Sequence, residues 1–220
     1  MKLDLHIHSR FSRDGTASPE EILRRCKDVG LDGCSITDHN SIEGSLEACE
    51  IGAAMGLTVV RGIEISSING HILAYGLSAP VQRGLSVSET IRRIHAAGGI
   101  AVAAHPTRFG SGLGEADIAD VGFDAVEILN GGSSGRGNRR ASTIAADLKL
   151  PGIGGSDAHK IAEIGRSFTV IDEFTSEADV IRSVVEGRPE ASGRSRSAGE
   201  GLMHAIEATF DWTRRGFKRL

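Results

Sequence analysis

Two histidines one residue apart, His6 and His8, stand at the end of an apolar run in the stretch DLHIHSRFSRDG. On an extended segment, side chains at i and i+2 project to one side, so both imidazoles can reach one metal ion. Asp14 follows in a short polar loop, where a hard carboxylate oxygen can reach a neighbouring ion. The pattern recurs along the chain. DGCSITDHN ends in Asp38 and His39, LTVVRGIEIS carries Glu64, HILAYG begins at His71, GIAVAAHP delivers His105, and IGGSDAH ends in Asp157 and His159. Packing alone gives no reason to end apolar strands this way, since each unpaired buried polar group costs roughly 1–3 kcal/mol. A shared metal centre removes that objection. Of the eight histidines, only His95 and His204 lie elsewhere. Both read as structural, His95 near the carboxyl end of a predicted helix where positive charge is welcome.

The elements that must position these residues alternate between strand and helix. Residues 2–6 fit a short strand, and Ser18, Pro19 and Glu21 open a helix with a capping box whose inward face is Ile22, Cys26 and Val29. A second strand ends in Asp38 and His39, a helix runs over residues 43–56, and LTVVRGIEIS reads as one continuous third strand. HILAYG places its histidine at the start, which predicts a reversed, hairpin-like segment. A helix through Ile91 and Ile94, the strands GIAVAAHP and FDAVEILN, the loop GGSSGRGNRR, a helix through Ile144 and Leu148, the strand IGGSDAH, the run RSFTVID and a helix around Val180 and Val184 follow. Such alternation specifies a largely parallel sheet. Polar residues at most strand carboxyl ends favour an irregular barrel of about seven strands with one functional rim.

Composition agrees with one main α/β domain. The chain has 220 residues, 40% of them hydrophobic and only 4% aromatic, with 29 glycines, so its core is built of small aliphatics and its turns are tight. Cys26, Cys34 and Cys49 are odd in number and lack CxxC spacing, so neither a disulfide framework nor a thiolate zinc site is indicated, and they read as reduced packing residues. No run approaches the ~18 apolar residues of a membrane span, and no basic segment leads into an apolar one at the start, so a cytoplasmic protein without membrane partners is expected. A net charge of −4 argues against a surface that grips long nucleic acid. Residues 1–190 form the main domain in this reading. Residues 191–200, ASGRSRSAGE, read as a linker, and residues 201–220 as an amphipathic C-terminal helix with Met203, Ile206, Phe210 and Phe217 on one face. Residues 191–220 hold six Lys/Arg against three Asp/Glu, so the tail differs from the body in charge as well.

The motifs HIH, TDH, GIE, AHP and GSDAH, in this order over residues 1–172, give the chain a resemblance to the PHP (polymerase and histidinol phosphatase) family of metal-dependent phosphoesterases. The resemblance implies a distorted (β/α)7 barrel and two to three divalent transition-metal ions, zinc, manganese or iron. Carried over residue by residue, it implies that His6, His8, Glu64 and Asp157 hold the first ion. Glu64 would bridge to a second ion held also by His71 and His105, and Asp14, His39 and His159 would hold the third. Some members carry histidine where Asp14 stands, and the acidic ligand makes that site harder and more tolerant of manganese. Asp38 matches no ligand position and reads either as an acceptor behind the ligands or as a strand-end hydrogen-bonding residue.

The leading reading is hydrolysis of a small phosphomonoester, a nucleotide or phosphorylated metabolite, by a metal-bridged hydroxide formed at Glu64. Asp157, or His159 when not a ligand, is the candidate proton carrier. Arg108, Arg136 and Arg139, with Arg13, lie in predicted loops and could bind phosphate through guanidinium forks, although each could equally be a solvated surface residue. GGSSGRGN could offer backbone amides to a phosphate, and Asn130 is either a substrate contact or loop scaffolding. Two alternatives stand beside this reading: a nuclease trimming short oligonucleotide ends, and a noncatalytic metal-stabilised scaffold subunit. Substrate, native metal and oligomeric state are open at the level of sequence.

Overall fold

The computed structural model describes residues 1–187, 189–197, 199 and 200. The expected C-terminal helix over residues 201–220, His204 included, lies outside the described residues. Among the described residues, ten strands and six α-helices follow in chain order: β1 (Lys2–Ile7), α1 (Pro19–Asp28), β2 (Gly33–Ile36), α2 (Glu43–Met55), β3 (Thr58–Val59), β4 (Gly62–Ser66), β5 (His71–Tyr75), α3 (Val87–Ala96), β6 (Ile100–Ala103), α4 (Glu115–Ile118), β7 (Ala125–Asn130), α5 (Gly135–Asp147), β8 (Gly152–Gly155), β9 (Ser167–Val170), α6 (Glu177–Glu186) and β10 (Glu190–Gly193). The capping box of α1 forms as expected, with the Ser18 side chain accepting from the Glu21 backbone N–H and the Glu21 carboxylate accepting from Ser18.

The strands form two five-stranded sheets, β10-β9-β1-β2-β3 and β4-β5-β6-β7-β8, so the fold is mixed α/β, and the continuous ladder expected of a distorted (β/α)7 barrel is not seen among the described residues. Two departures from the βα cycle account for this. LTVVRGIEIS is not one strand: β3 pairs with β2 in the first sheet, and β4 starts the second. Between them the Arg61 backbone N–H donates to the Glu177 carboxylate at 2.7 Å, and its guanidinium takes the same carboxylate, so the chain is held to the start of α6 instead of a strand ladder. The second departure is β5, antiparallel to both β4 and β6, the reversal expected for HILAYG. Only β6, β7 and β8 run parallel in the second sheet.

The first three residues of the expected linker, 191–193, are strand. Glu190–Gly193 forms β10, antiparallel to β9 over four residue pairs, because Ala191, Ser192 and Gly193 are small enough to lie close to the neighbouring strands. A Cβ on Gly154 would stand 3.4 Å from the Ala191 Cβ. Part of the expected GGSSGRGNRR loop is helical too, since Ser134 caps α5 by accepting from the Gly137 N–H.

One apolar cluster, including Leu3 and Leu5 of β1 with Leu73, Tyr75, Val102 and Ile153, joins the two sheets. The two edge strands of the second sheet, β8 and β4, also meet the carboxyl ends of β1 and β2 through single bridges, Ile7 with Ala158 and His39 with Glu64. At the first the Asp157 N–H donates to the His6 carbonyl (2.7 Å) and the His8 N–H to the Ala158 carbonyl (2.9 Å). At the second the Glu64 N–H donates to the Asp38 carbonyl (3.2 Å) and the Asn40 N–H to the Glu64 carbonyl (2.8 Å).

Candidate metal centre

All nine residues expected as ligands converge where the sheets meet. His6 and His8 come from the end of β1, His39 follows β2, Glu64 lies in β4, His71 starts β5, His105 follows β6, and Asp157 and His159 follow β8. Two of these positions are reached only by unusual backbone: His105 has φ of 28° and Asp157 φ of 54°. Non-glycine residues adopt such angles at a cost of order 1–3 kcal/mol and do so mostly at functional sites.

The Glu64 carboxylate is the centre of the arrangement and is fully buried. Its Oε1 lies 2.9 Å from His71 Nδ1 and 2.9 Å from His105 Nε2. Its Oε2 faces His6 Nε2 (3.5 Å), His8 Nε2 (3.4 Å) and His39 Nδ1 (2.9 Å). Asp157 Oδ1 completes the second group at 3.5 Å from His6 Nε2 and 3.2 Å from His8 Nε2, and the two histidine Nε2 atoms are 3.2 Å apart. An ion with four tetrahedral donors at ~2.0–2.2 Å sets them roughly 3.3–3.6 Å from one another, so this set has the size of a zinc-like site. Glu64 Oε2 and Asp157 Oδ1 are buried without a hydrogen-bond partner, the state of oxygens awaiting a cation.

Asp14 Oδ2 lies 3.2 Å from His159 Nε2 and 3.6 Å from His39 Nε2. Ligand atoms of His8 join this group, and those of His39 also join Glu64 and His71. His39 therefore stands between two sets, with one ring nitrogen toward each. The donors, histidine nitrogens and carboxylate oxygens, suit zinc, iron and manganese.

These groups shift one another's protonation equilibria. Burial opposes charge on Glu64, but the neighbouring His71, His39 and His6 outweigh it and hold the carboxyl well below its usual range. Burial likewise opposes charge on His39, yet Glu64 and Asp14 raise it to about 10. His8 goes the other way, lowered to about 3 by burial and by His159. Burial resists ionisation of Asp157, but Arg108 and His6 prevail and keep it well below the ordinary carboxylate value.

Behind the ligands lies a residue to which the sequence reading gave no role. Glu127, buried in β7, takes His6 Nδ1 on Oε1 at 2.9 Å, and the His105 N–H (2.7 Å) and Asn130 amide (3.0 Å) on Oε2. Such carboxylates fix which nitrogen of a ligating histidine faces the metal. The available signal was an acidic residue inside the apolar run AVEILN. Ser12 serves His8 in a similar way, its Oγ 3.2 Å from Nδ1. Asp38 accepts from the Ser9 N–H (2.6 Å) and hydroxyl (2.7 Å), which matches the strand-end reading.

Of the expected phosphate-binding arginines, only Arg108 meets the ligands. Its Nη1 is 2.5 Å from Asp157 Oδ2, and its Nη2 bonds Asn130 Oδ1 and Ser133 Oγ. Asn130 is thus scaffolding for Arg108 and Glu127. Arg136 and Arg139 are exposed on the first turns of α5, and Arg13 is exposed in the loop before α1; no ion pair among the described residues ties any of the three to the cluster. His95, exposed, pairs with Asp124 at 2.8 Å. Among the described residues no helix is long and apolar enough to cross a membrane.

Residues 4–109 match the family model of the PHP domain, and residues 135–189 that of a PHP-associated region. An uncharacterized protein of Methanocaldococcus jannaschii is 37% identical over 141 residues, 59% of this chain and 82% of that protein. A phosphoribosyl 1,2-cyclic phosphate 1,2-diphosphodiesterase of Eggerthella lenta is 36% identical over 101 residues, 42% of this chain but 38% of that protein. The fold is shared with a crystal structure from Bacteroides vulgatus, a two-domain protein containing a predicted PHP-like metal-dependent phosphoesterase, at a TM-score of 0.74 and 21% identity over 88% of this chain and 65% of that one. With its ordered motifs gathered at one centre and both stretches of sequence matched, the chain belongs to the PHP family.

Proposed function

We propose that the protein is a metal-dependent phosphoesterase that hydrolyses a small phosphomonoester, a nucleotide or phosphorylated metabolite. The observation that carries this reading is Glu64, whose two oxygens turn to different sets of donors, Oε1 to His71 and His105, Oε2 to His6 and His8. In this reading His6, His8, Glu64 and Asp157 hold one ion, Glu64, His71 and His105 a second, and Asp14, His39 and His159 a third. Divalent ions so placed would supply Lewis-acid activation of water and neutralise charge on the phosphate. The chain's own groups do the rest. Glu127 orients His6, and Arg108 fixes Asp157 by one oxygen, leaves the other to the ligand cluster and adds a positive charge beside it. His159, its Nε2 beside Asp14 at the half-exposed side of the cluster, is placed to carry a proton when it is not a ligand. The name of the Eggerthella lenta relative supports phosphate-ester chemistry on a small sugar phosphate.

Turnover by purified protein loaded with manganese or zinc, measured over a panel of phosphomonoesters, dinucleotides and short oligonucleotides, tests the reading. Monoesters are expected to lead. Preferential shortening of oligonucleotides would replace this proposal with a nuclease, and no turnover of any phosphate ester by metal-loaded protein would leave a scaffold subunit.

A further inference from the structure

His39 and Glu64 face each other from the two sheets, His39 Nδ1 standing 2.9 Å from Glu64 Oε2. Glu64 is fixed within its own sheet, opposite Leu73 in the ladder of β4 with β5. His39 lies past the end of β2, where the Ser12 hydroxyl accepts its N–H at 2.9 Å and a single bridge joins it to Glu64. Its imidazole nevertheless belongs to two groups of donors, one with Asp14 and His159 and one with Glu64 and His71. Something must hold the register between this short end of chain and β4.

In a parallel ladder the hydrogen bonds run evenly from one strand to the other and back. Two such bonds form at the bridge: the Glu64 N–H donates to the Asp38 carbonyl at 3.2 Å, and the Asn40 N–H to the Glu64 carbonyl at 2.8 Å. The next in the series would run from the Ser66 N–H to the Asn40 carbonyl. The chain turns away instead, for Asn40 lies in the left-handed region with φ of 58°, on the way to α2. The Asn40 side chain takes the place of that carbonyl. Its Oδ1 accepts the Ser66 N–H at 2.9 Å, and its Nδ2 donates to Ser66 Oγ at 3.0 Å. Asparagine suits both demands, since it is among the few residues that enter the left-handed region readily and its amide is a peptide group on a short stem. Glycine would make the turn without the carbonyl, and alanine would do neither.

We propose that Asn40 is a positioning residue of the metal centre: its side chain stands in for the next peptide carbonyl of the ladder, so the chain can turn toward α2 directly after His39 while that imidazole stays against Glu64. This inference rests on the phosphoesterase reading above and adds to it the residue that keeps a donor of the first sheet in register with the central carboxylate of the second.

The test compares Asn40→Gly and Asn40→Asp with wild type, all full-length. Glycine keeps the backbone angle and loses the side-chain carbonyl, whereas aspartate keeps an oxygen for the Ser66 N–H and a second to accept from the Ser66 hydroxyl. Zinc affinity is read by competitive titration against a chelator, and amide hydrogen exchange at Ser66, on samples prepared alike, reads the seam whether or not metal is bound. In Asn40→Gly the ion that uses His39 is expected to bind at least ~10-fold more weakly, the loss that follows removal of a partner behind a ligand, while the ion at His6, His8 and Asp157 changes by less than ~3-fold. The Ser66 amide of that variant should exchange at least ~10-fold faster than in wild type. Asn40→Asp should restore both readings. Should Asn40→Gly not fold by circular dichroism, Asn40→Ser carries the test, its hydroxyl lying a bond short of the Oδ1 position. Wild-type zinc affinity or unchanged Ser66 exchange in the glycine variant overturns the proposal. Equal weakening of every ion, or the same loss in Asn40→Asp, overturns it as well, since either makes Asn40 a general stabiliser of the fold. Wild type that binds no zinc, or binds it and turns over no phosphate ester, counts against the phosphoesterase reading, and Ser66 exchange still decides whether the side chain completes the ladder.

Discussion

Replacing Glu127 by glutamine tests whether the metal centre depends on the carboxylate behind it. Both oxygens of Glu127 accept hydrogen bonds, Oε1 facing His6 Nδ1 and Oε2 the His105 N–H and the Asn130 amide. A glutamine has one acceptor and one donor end, so whichever way the amide turns, its NH2 meets a donor. If it faces the β6 side, the buried His105 N–H is left unsatisfied, at about 1–3 kcal/mol. If it faces His6, the ring must accept on Nδ1 and carry its proton on Nε2, and it is lost as a ligand. Removing such an outer partner lowers metal affinity by ~10–100-fold, which is about 1.4–2.8 kcal/mol and agrees with the unsatisfied-donor figure. The assay is a competitive titration of Glu127→Gln and wild type against a chelator of known affinity, with circular dichroism on the same samples. A folded Glu127→Gln protein with wild-type metal affinity would refute the positioning argument.

Glu64→Gln should lower turnover at least ~100-fold and reduce metal content, since the side chain keeps its size but loses the charge shared between two sets of histidines; near-normal turnover by folded, loaded protein would remove Glu64 from the centre of the mechanism. Elemental analysis after gentle purification and reconstitution should find two to three transition-metal ions per chain, and fewer than one would contradict the grouped donors. Metal affinity should rise with pH above 7, because His39, raised to about 10 by Glu64 and Asp14 against the effect of burial, is protonated there and must lose its proton to ligate. The gain should be about tenfold per pH unit for each proton displaced, and calorimetry in buffers of different ionisation enthalpy should show His39→Gln releasing about one proton fewer; affinity that is flat between pH 7 and 9 would contradict this. Gly155→Ala should lower the Tm of the metal-free protein, because the added Cβ would stand 2.5 Å from the His6 Cβ. Overpacking of this kind costs ~1–3 kcal/mol, at about 2–4 °C per kcal/mol, and an unchanged Tm would show that β1 and β8 can separate freely.

The clustering histidines and carboxylates were legible in the sequence because each is conspicuous locally: an imidazole or carboxylate at the end of an apolar run needs a partner, and the HIH spacing puts two on one side. The reversal at HILAYG was legible for the same reason, since His71 stood at the wrong end of its strand. The break at Arg61 was not, because an apolar run interrupted by one arginine reads as a single strand until Glu177, over a hundred residues away, supplies the carboxylate that holds the turn. β10 was hidden by its own small residues, which read as linker composition and act as close-packing composition beside β9. Glu127 was marked only as an acidic residue inside an apolar run, and its partners His6 and His105 are brought near it by folding alone.

The bridges at Ile7 with Ala158 and His39 with Glu64 hold together two sheets that share no continuous ladder there. Each group of ligand atoms draws on both sides of that seam: His6, His8, Asp14 and His39 belong to the first sheet and its loops, and Glu64, His71, His105, Asp157 and His159 to the second. An ion bound by any group is therefore a rivet as well as a reagent, and its loss slackens the joint at the place where substrate must be gripped. Demetallated protein should exchange the amide hydrogens of His8, Asn40, Glu64 and Asp157 early, while the ladder amides within each sheet stay protected. Chelation would then act first as a mechanical event, a parting of two halves, with lost chemistry as its consequence.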